Sequence, residues 1–126
     1  MTENLNPRQV AAAAAADTAA ILAFCALGRR SHDEGVNVAG LSKTAWPFLS
    51  GTAVGWLLSR GWRAPGALRP TGLVVWLSTV LVGMVLRKVS SATVAAPFVA
   101  VTSAVTAVLL LGWRAGAARL GPTAVR

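Results

Sequence analysis

The chain has 126 residues, enough for one domain, and 55% of them are hydrophobic while only 13% are charged. A soluble domain carries about 25% charged residues, so this composition excludes an ordinary soluble fold and favours an integral membrane protein. The net charge is +8, and because the basic residues lie between and beyond apolar runs, we assign them to anionic lipid head groups and expect no nucleic-acid partner.

Four apolar segments predict four transmembrane helices, each close to the ~17–20 residues that cross the hydrocarbon of a bilayer. We place these helices at about 10–27, 44–58, 71–86 and 93–111. A bilayer offers no water to unpaired backbone groups, so each span should be helical, and no run alternates polar and apolar residues as a membrane barrel strand would. The predicted fold class is all-α, an integral membrane four-helix bundle, with residues 1–126 forming a single transmembrane domain.

The first run contains Asp17, an acidic residue inside an apolar segment. Because the apolar residues continue past Asp17 to Leu27, we expect a retained helix rather than a cleaved signal peptide. A carboxylate in the hydrocarbon costs roughly 2.5–3.5 kcal/mol by insertion scales, so Asp17 should face the protein interior or a wet cavity. Two hypotheses stay open: Asp17 binds a proton or cation and couples it to movement, or it fixes helix packing through buried polar contacts.

Asp17 needs a partner from another helix, because Arg29 is ~18 Å away along the same helix. Two arginines on the same side of the membrane can extend back toward it, so we predict Arg60 and Arg114 as ion-pair partners. Hydroxyl groups are further candidate partners, namely those of Thr18, Ser78, Thr79, Thr102, Ser103 and Thr106.

The first loop, GRRSHDEGVNVAGLSK, contains the only histidine, His32, next to Asp33 and Glu34. A metal site needs three or four convergent ligands, so we interpret this segment as a solvated polar loop and predict no metal site. The chain has no recognisable nucleophile–base set, phosphate-binding loop or cofactor fingerprint, so we expect neither enzyme activity nor a cofactor. Cys25 is the only cysteine, which excludes an internal disulfide.

Small residues at four-residue spacing predict the helix contacts, because membrane helices associate through close packing of small side chains. Gly51 and Gly55 form such a step in the second helix, and Gly83 belongs to one in the third. Ala100 lies in the alanine repeat of the fourth helix. We favour packing within the bundle for each of these positions, while the smooth helices also suit a homodimer or a larger membrane complex.

The positions of two prolines and four tryptophans agree with the predicted helix ends. Pro47 and Pro97 are expected within the first turn of their helices, where a missing N–H is tolerated. Indoles concentrate at the head-group level of a membrane. The tryptophans that lie near span ends are Trp46, Trp56, Trp76 and Trp113.

The distribution of basic residues predicts the orientation of the chain. With an even number of spans, both termini and the second loop share one side, which carries seven basic residues against five on the other. The side with more Lys and Arg is normally cytoplasmic. We therefore predict a multi-pass protein of the cell (plasma) membrane with both termini in the cytoplasm.

Single residues spread over about Ala16 to Gly116 carry a family resemblance. They are Asp17, Gly28-Arg29, Ser31-His32, Pro47-Phe48, Trp76, Gly83, Arg87, Phe98 and Trp113-Arg114. On these residues the chain resembles the domain of unknown function 3054 family, small bacterial and archaeal membrane proteins with four predicted helices. The resemblance implies the fold and the membrane location, and it implies no activity.

Two functions compete. We favour an accessory or structural membrane component, because the chain offers small-residue faces and basic rims but no catalytic set. The alternative is a small homodimeric proton-coupled transporter using Asp17, since the chain is similar to the small multidrug-resistance exporters in size, helix count and a lone acid in the first helix. It differs from them in having Asp rather than Glu, no Tyr and a long charged first loop.

Overall fold

The computed structural model describes residues 7–31, 37–90 and 96–120. Nearly all of these residues are helical, and none of them is in a strand. The described part of the chain contains the helices α1 (Pro7–Ser31), α2 (Val38–Ser59), α3 (Leu73–Val89) and α4 (Ala96–Leu120), with short 3-10 and π turns at Gly61–Arg63 and Leu68–Gly72. The predicted all-α four-helix fold is confirmed.

Helix α2 begins earlier than the apolar pattern indicates. Asn37 caps it, accepting a hydrogen bond from the backbone N–H of Gly40 at 2.8 Å, so polar residues such as Lys43 lie inside the helix. Pro47 is therefore well inside α2, and the expectation that it lies in the first turn is wrong. The expectation for Pro97 holds, because α4 begins one residue earlier.

Three of the described helical segments are long and apolar enough to cross a membrane: Pro7–Arg30, Leu68–Val89 and Pro97–Ala118. Helix α2 is not among them. Its 22 residues include the polar or helix-interrupting Ser42, Lys43 and Pro47, which lower its hydropathy. Length and composition therefore support a membrane location through α1, α3 and α4.

Helices α2 and α3 are in backbone contact, and two glycines of α2 allow this approach. A Cβ on Gly51 would lie 2.6 Å from the carbonyl oxygen of Ser78, and one on Gly55 would lie 2.7 Å from the Cα of Val75. Gly83 of α3 also faces α2, but its neighbour there is a side chain: the ring of Phe48 occupies the space that a Cβ would need. These glycines therefore set the distance between the two helices.

The remaining contacts close the four helices into a ring, since α1 packs against α2 and α4, and α3 packs against α4. At the centre, Phe48 meets Phe24 edge-on, with ring centroids 5.8 Å apart and an interplanar angle of 87°. The hydroxyl oxygens of Thr52 and Thr79 lie 2.7 Å apart, each within reach of a carbonyl of its own helix. These two buried hydroxyl groups thus satisfy each other between α2 and α3, as a water-free interior favours.

Ala100 does not pack inside the bundle. It is exposed, as is Ala104, so the expectation that this alanine repeat makes intramolecular contacts is corrected. The inner face of α4 is formed instead by the fully buried Thr102, Thr106, Leu110 and Arg114. Their hydroxyl and guanidinium groups need protein partners, whereas alanine methyl groups are at no disadvantage facing lipid.

The glycine contact between α2 and α3 makes a testable prediction. Gly51→Ala should lower the free energy of unfolding by about 1–3 kcal/mol, because the new methyl group meets backbone atoms that cannot move aside. Gly112→Ala is the matched control, since a Cβ there has nothing within 4 Å. Thermal unfolding in mild detergent, followed by circular dichroism, measures both. Equal stability of the two variants would contradict this packing.

Candidate functional site

Asp17 and Arg114 are buried on the inner faces of the first and last helices. Asp17 is 1% exposed, and Ala13 and Ile21, one turn away on either side, are fully buried too. Arg114 is 0% exposed and continues the inner stripe of α4 one turn after Leu110. The periodicity of each helix therefore brings an acid and a base to the same place in the interior.

The two side chains form a bidentate ion pair. Nη1 of Arg114 donates to Oδ1 of Asp17 at 2.9 Å, and Nη2 donates to Oδ2 at 2.8 Å. Parallel N–H···O bonds of this kind match the planar guanidinium to the planar carboxylate and are about twice as strong as neutral hydrogen bonds. The pair joins α1 to α4 across 97 residues of sequence.

Two tryptophans complete the surroundings of the carboxylate. Nε1 of Trp113 donates to Oδ1 of Asp17 at 2.8 Å, and Nε1 of Trp56 donates to Oδ2 at 2.8 Å. Each carboxylate oxygen therefore accepts two hydrogen bonds, which uses the roughly four acceptor positions of an ionised carboxylate. Donors from α2 and α4 thus meet on a single side chain of α1.

The other N–H groups of Arg114 reach backbone carbonyls. Nε donates to the carbonyl of Pro65 at 3.0 Å, and Nη1 also donates to that of Leu110 at 3.1 Å. The guanidinium carbon lies 4.5 Å from the ring centroid of Trp113, and a Cβ on Gly72 would lie 3.0 Å from Cδ of Arg114. Arg114 therefore fixes residues 60–72, which we call the second loop, against the end of the bundle.

The site lies near this end of the bundle rather than at its middle. Trp56 is three residues before the last residue of α2, or about 5 Å along the helix axis, and Arg114 is six residues before Leu120, or about 9 Å. Asp17 is ten residues after Pro7, so α1 extends about 15 Å past the ion pair on the same side.

In this arrangement both oxygens of Asp17 are occupied by donors, so neither faces an open position. A proton or a cation would have to displace a guanidinium or indole N–H from the carboxylate. The assignment of Asp17 as a proton- or cation-binding residue stays a prediction. The geometry shows directly that the ion pair joins α1 to α4 and that the indole of Trp56 adds α2.

Of the two predicted arginine partners, the structure brings Arg114 to Asp17 and leaves Arg60 elsewhere. Arg60 is exposed at the C-terminal cap of α2, with a left-handed backbone (φ 52°), and donates none of the bonds to the carboxylate. The predicted hydroxyl partners do not contact Asp17 either. Within the described residues the hydroxyl of Thr106 bonds to its own helix, and the buried hydroxyl of Thr102 has no partner.

Trp56 and Trp113 are not among the predicted contacts of Asp17, because their positions near span ends also fit a head-group role. A signal was nevertheless available. An indole carries an N–H donor and no acceptor, so it suits a buried carboxylate, and both tryptophans belong to the same membrane side as Arg114.

Separating the ion pair should destabilise the bundle. Asp17→Asn or Arg114→Met leaves one charge buried without its counter-ion, and each should lower the free energy of unfolding by about 3–5 kcal/mol. The double variant Asp17→Leu with Arg114→Met should be more stable than either single variant, because it removes both charges. Arg30→Met, which removes an exposed cation, is the control and should stay within about 0.5 kcal/mol of wild type. Additive losses in thermal unfolding would contradict the pairing.

The indole contacts make a separate prediction. Trp56→Phe and Trp113→Phe each remove one N–H donor to an ionised group, and each should lower the free energy of unfolding by about 1.5–3 kcal/mol. Trp46→Phe is the control, since Trp46 is 44% exposed and lies ten residues before Trp56 in α2, or about 15 Å along the helix axis. Denaturant titration in detergent distinguishes them, and three equal values would rule out a specific role of the two indoles.

Comparison with known proteins identifies the family of the chain. No curated protein and no solved structure matches the chain. Residues 14–117 match the family described as "Protein of unknown function (DUF3054)", a range that includes Asp17, Arg114 and both tryptophans of the site. Since this match covers most of the 126 residues, the chain belongs to the DUF3054 family.

Proposed function

We propose that this protein is an accessory or structural component of the plasma membrane, without transport or enzyme activity and without a cofactor. The observation that carries the proposal is the burial and hydrogen bonding of the Asp17 carboxylate. Its carboxylate is 1% exposed and accepts four hydrogen bonds, two of them from a fully buried arginine. An acid held in this way acts as a fixed connection between helices.

Proton coupling would require Asp17 to exchange these donors during every cycle. Removing one partner of a buried ion pair costs about 3–5 kcal/mol, and a proton-coupled transporter would need a substrate or a second proton site to offset this. Asp17 is the one acidic residue in the described ranges, so no relay of acids leads from it through this part of the bundle. The geometry therefore favours the accessory role over the homodimeric proton-coupled transporter.

We further propose that α2 crosses the membrane together with the other three helices. Asp17 of α1 bonds to Trp56 of α2, and Arg29 of α1 bonds to Thr44 of α2 at 2.9 Å. These contacts are twelve residues apart in each helix, so α1 and α2 run side by side and antiparallel for about 18 Å. If α1 spans the bilayer, α2 spans it as well, and both termini then lie on one side, which we assign to the cytoplasm.

An accessory protein needs a partner helix, and the outward face of α4 suits one. Two pairs at four-residue spacing, Ala100 with Ala104 and Gly112 with Gly116, are exposed on either side of the exposed Val108, and Cβ atoms on the two glycines would meet nothing within 4 Å. Small side chains let a second helix approach closely in a membrane. This face supports a larger membrane complex or a homodimer as the working form.

The proposal predicts the outcome of two measurements on the intact protein. Native mass spectrometry after mild-detergent extraction from the host should show another polypeptide at fixed stoichiometry. Wild-type protein purified and reconstituted into vesicles that contain a pH-sensitive dye should release no more protons on addition of a lipophilic cation than empty vesicles do.

A homodimer without another chain, together with proton release by the wild type above that of empty vesicles, would overturn the proposal and favour the transporter. Protein unfolding does not confuse this result, because the decisive flux assay uses the wild type. Arg30→Met, which removes an exposed cation, serves as the control variant and should behave like wild type in either case.

A further inference from the structure

The second loop, residues 60–72, carries a concentration of exposed positive charge. Arg60, Arg63 and Arg69 are all exposed. Between them lie Trp62, which is half-buried, and Leu68, which is 39% exposed. Guanidinium groups thus alternate with apolar side chains over ten residues.

The backbone of this loop is held in place. Within it, the N–H of Arg63 bonds to the carbonyl of Arg60 at 2.9 Å, and the N–H of Ala67 bonds to that of Ala64 at 3.1 Å. The Nε of Arg114 also donates a hydrogen bond to the carbonyl of Pro65 in this loop. The exposed arginines therefore project from an ordered segment at one end of the bundle, which reduces the entropy lost when they bind a ligand.

Among the described residues, positive charge exceeds negative charge at this end of the bundle. Asp17 is the one acidic residue within residues 7–31, 37–90 and 96–120, and Arg114 already neutralises it. The charges of Arg60 and Arg69 are consequently not offset by another carboxylate of those ranges. A ligand that fits this surface is an anion presented at the level of the helix ends.

We propose that Arg60 and Arg69, with Arg63 beside them, bind the head groups of anionic phospholipids at the membrane face that carries the second loop. The phosphodiester offers oxygen pairs that match the guanidinium fork, while Trp62 and Leu68 suit the boundary between head groups and acyl chains. Free phosphate can bind the guanidinium groups in the same way, but it has no acyl chain that Trp62 and Leu68 could contact. The inference rests on the membrane location proposed above, and not on the accessory role.

The test uses the full chain in nanodiscs of phosphatidylcholine with a minor fraction of phosphatidylglycerol. Native mass spectrometry counts the phosphatidylglycerol molecules that remain bound relative to phosphatidylcholine. Wild type should retain phosphatidylglycerol above its share of the lipid mixture. The Arg60→Gln, Arg69→Gln double variant should reduce this preference by roughly 5-fold for each arginine removed.

The control removes the same charge from exposed residues at the opposite end of the bundle, by Arg30→Gln with Lys88→Gln. It should keep the preference of wild type. No enrichment in wild type, or an equal loss in both double variants, would overturn the proposal. Glutamine at position 60 meets the same steric penalty at positive φ as arginine, so folding is comparable.

Two further measurements separate this inference from its alternatives. Phosphatidylglycerol added to detergent-solubilised protein should raise the unfolding temperature, whereas inorganic phosphate alone should not. An equal effect of inorganic phosphate would replace the lipid with a free anion and overturn the proposal. Release of the protein from membranes by alkaline carbonate would refute the membrane location itself, whereas retention without lipid enrichment would refute this inference alone.

Discussion

The buried ion pair between Asp17 and Arg114 is the interaction on which the arrangement of this bundle depends. Neither charge is tolerated alone in an interior without water, because an unpaired buried ion costs several kcal/mol. Each helix that carries one of them must therefore find the other, and this requirement places α1 next to α4 although they are the most distant elements in sequence. The indole N–H groups of Trp56 and Trp113 then donate to the remaining acceptor positions of the carboxylate, and Trp56 links α2 to the same site.

The rest of the bundle is held by a different kind of contact. Helices α2 and α3 approach to backbone distance at Gly51 and Gly55, where many dispersion contacts add to the hydroxyl contact between Thr52 and Thr79. The α2–α3 pair is therefore positioned by close packing, whereas α1 and α4 are positioned by charge. Because the second loop connects the tight pair and also bonds to Arg114, the two halves of the ring are joined at one end of the molecule.

The same geometry bears on function. A carboxylate with four donors is suited to holding helices together, and it lies near the end of the bundle that also presents the exposed arginines of the second loop. The buried ion pair and the arginines for which we propose lipid binding thus lie at the same end of the bundle. The exposed alanine and glycine pairs of α4, on either side of Val108, are the positions where the accessory role that we propose would bring a partner helix close.

The sequence by itself determined the class of fold, because low charge and four apolar runs are incompatible with water and leave helices as the spanning structure. It also identified Asp17 as the exceptional residue and Arg114 as one of two partners, since an acid in an apolar segment needs a counter-ion. Tertiary structure decided the rest. Whether Arg60 or Arg114 reaches Asp17, which indoles join them, and whether Ala100 faces inward depend on the rotation of each helix about its axis. That rotation follows from bringing the charged and hydrogen-bonding side chains of several helices together, a condition that no single helix contains.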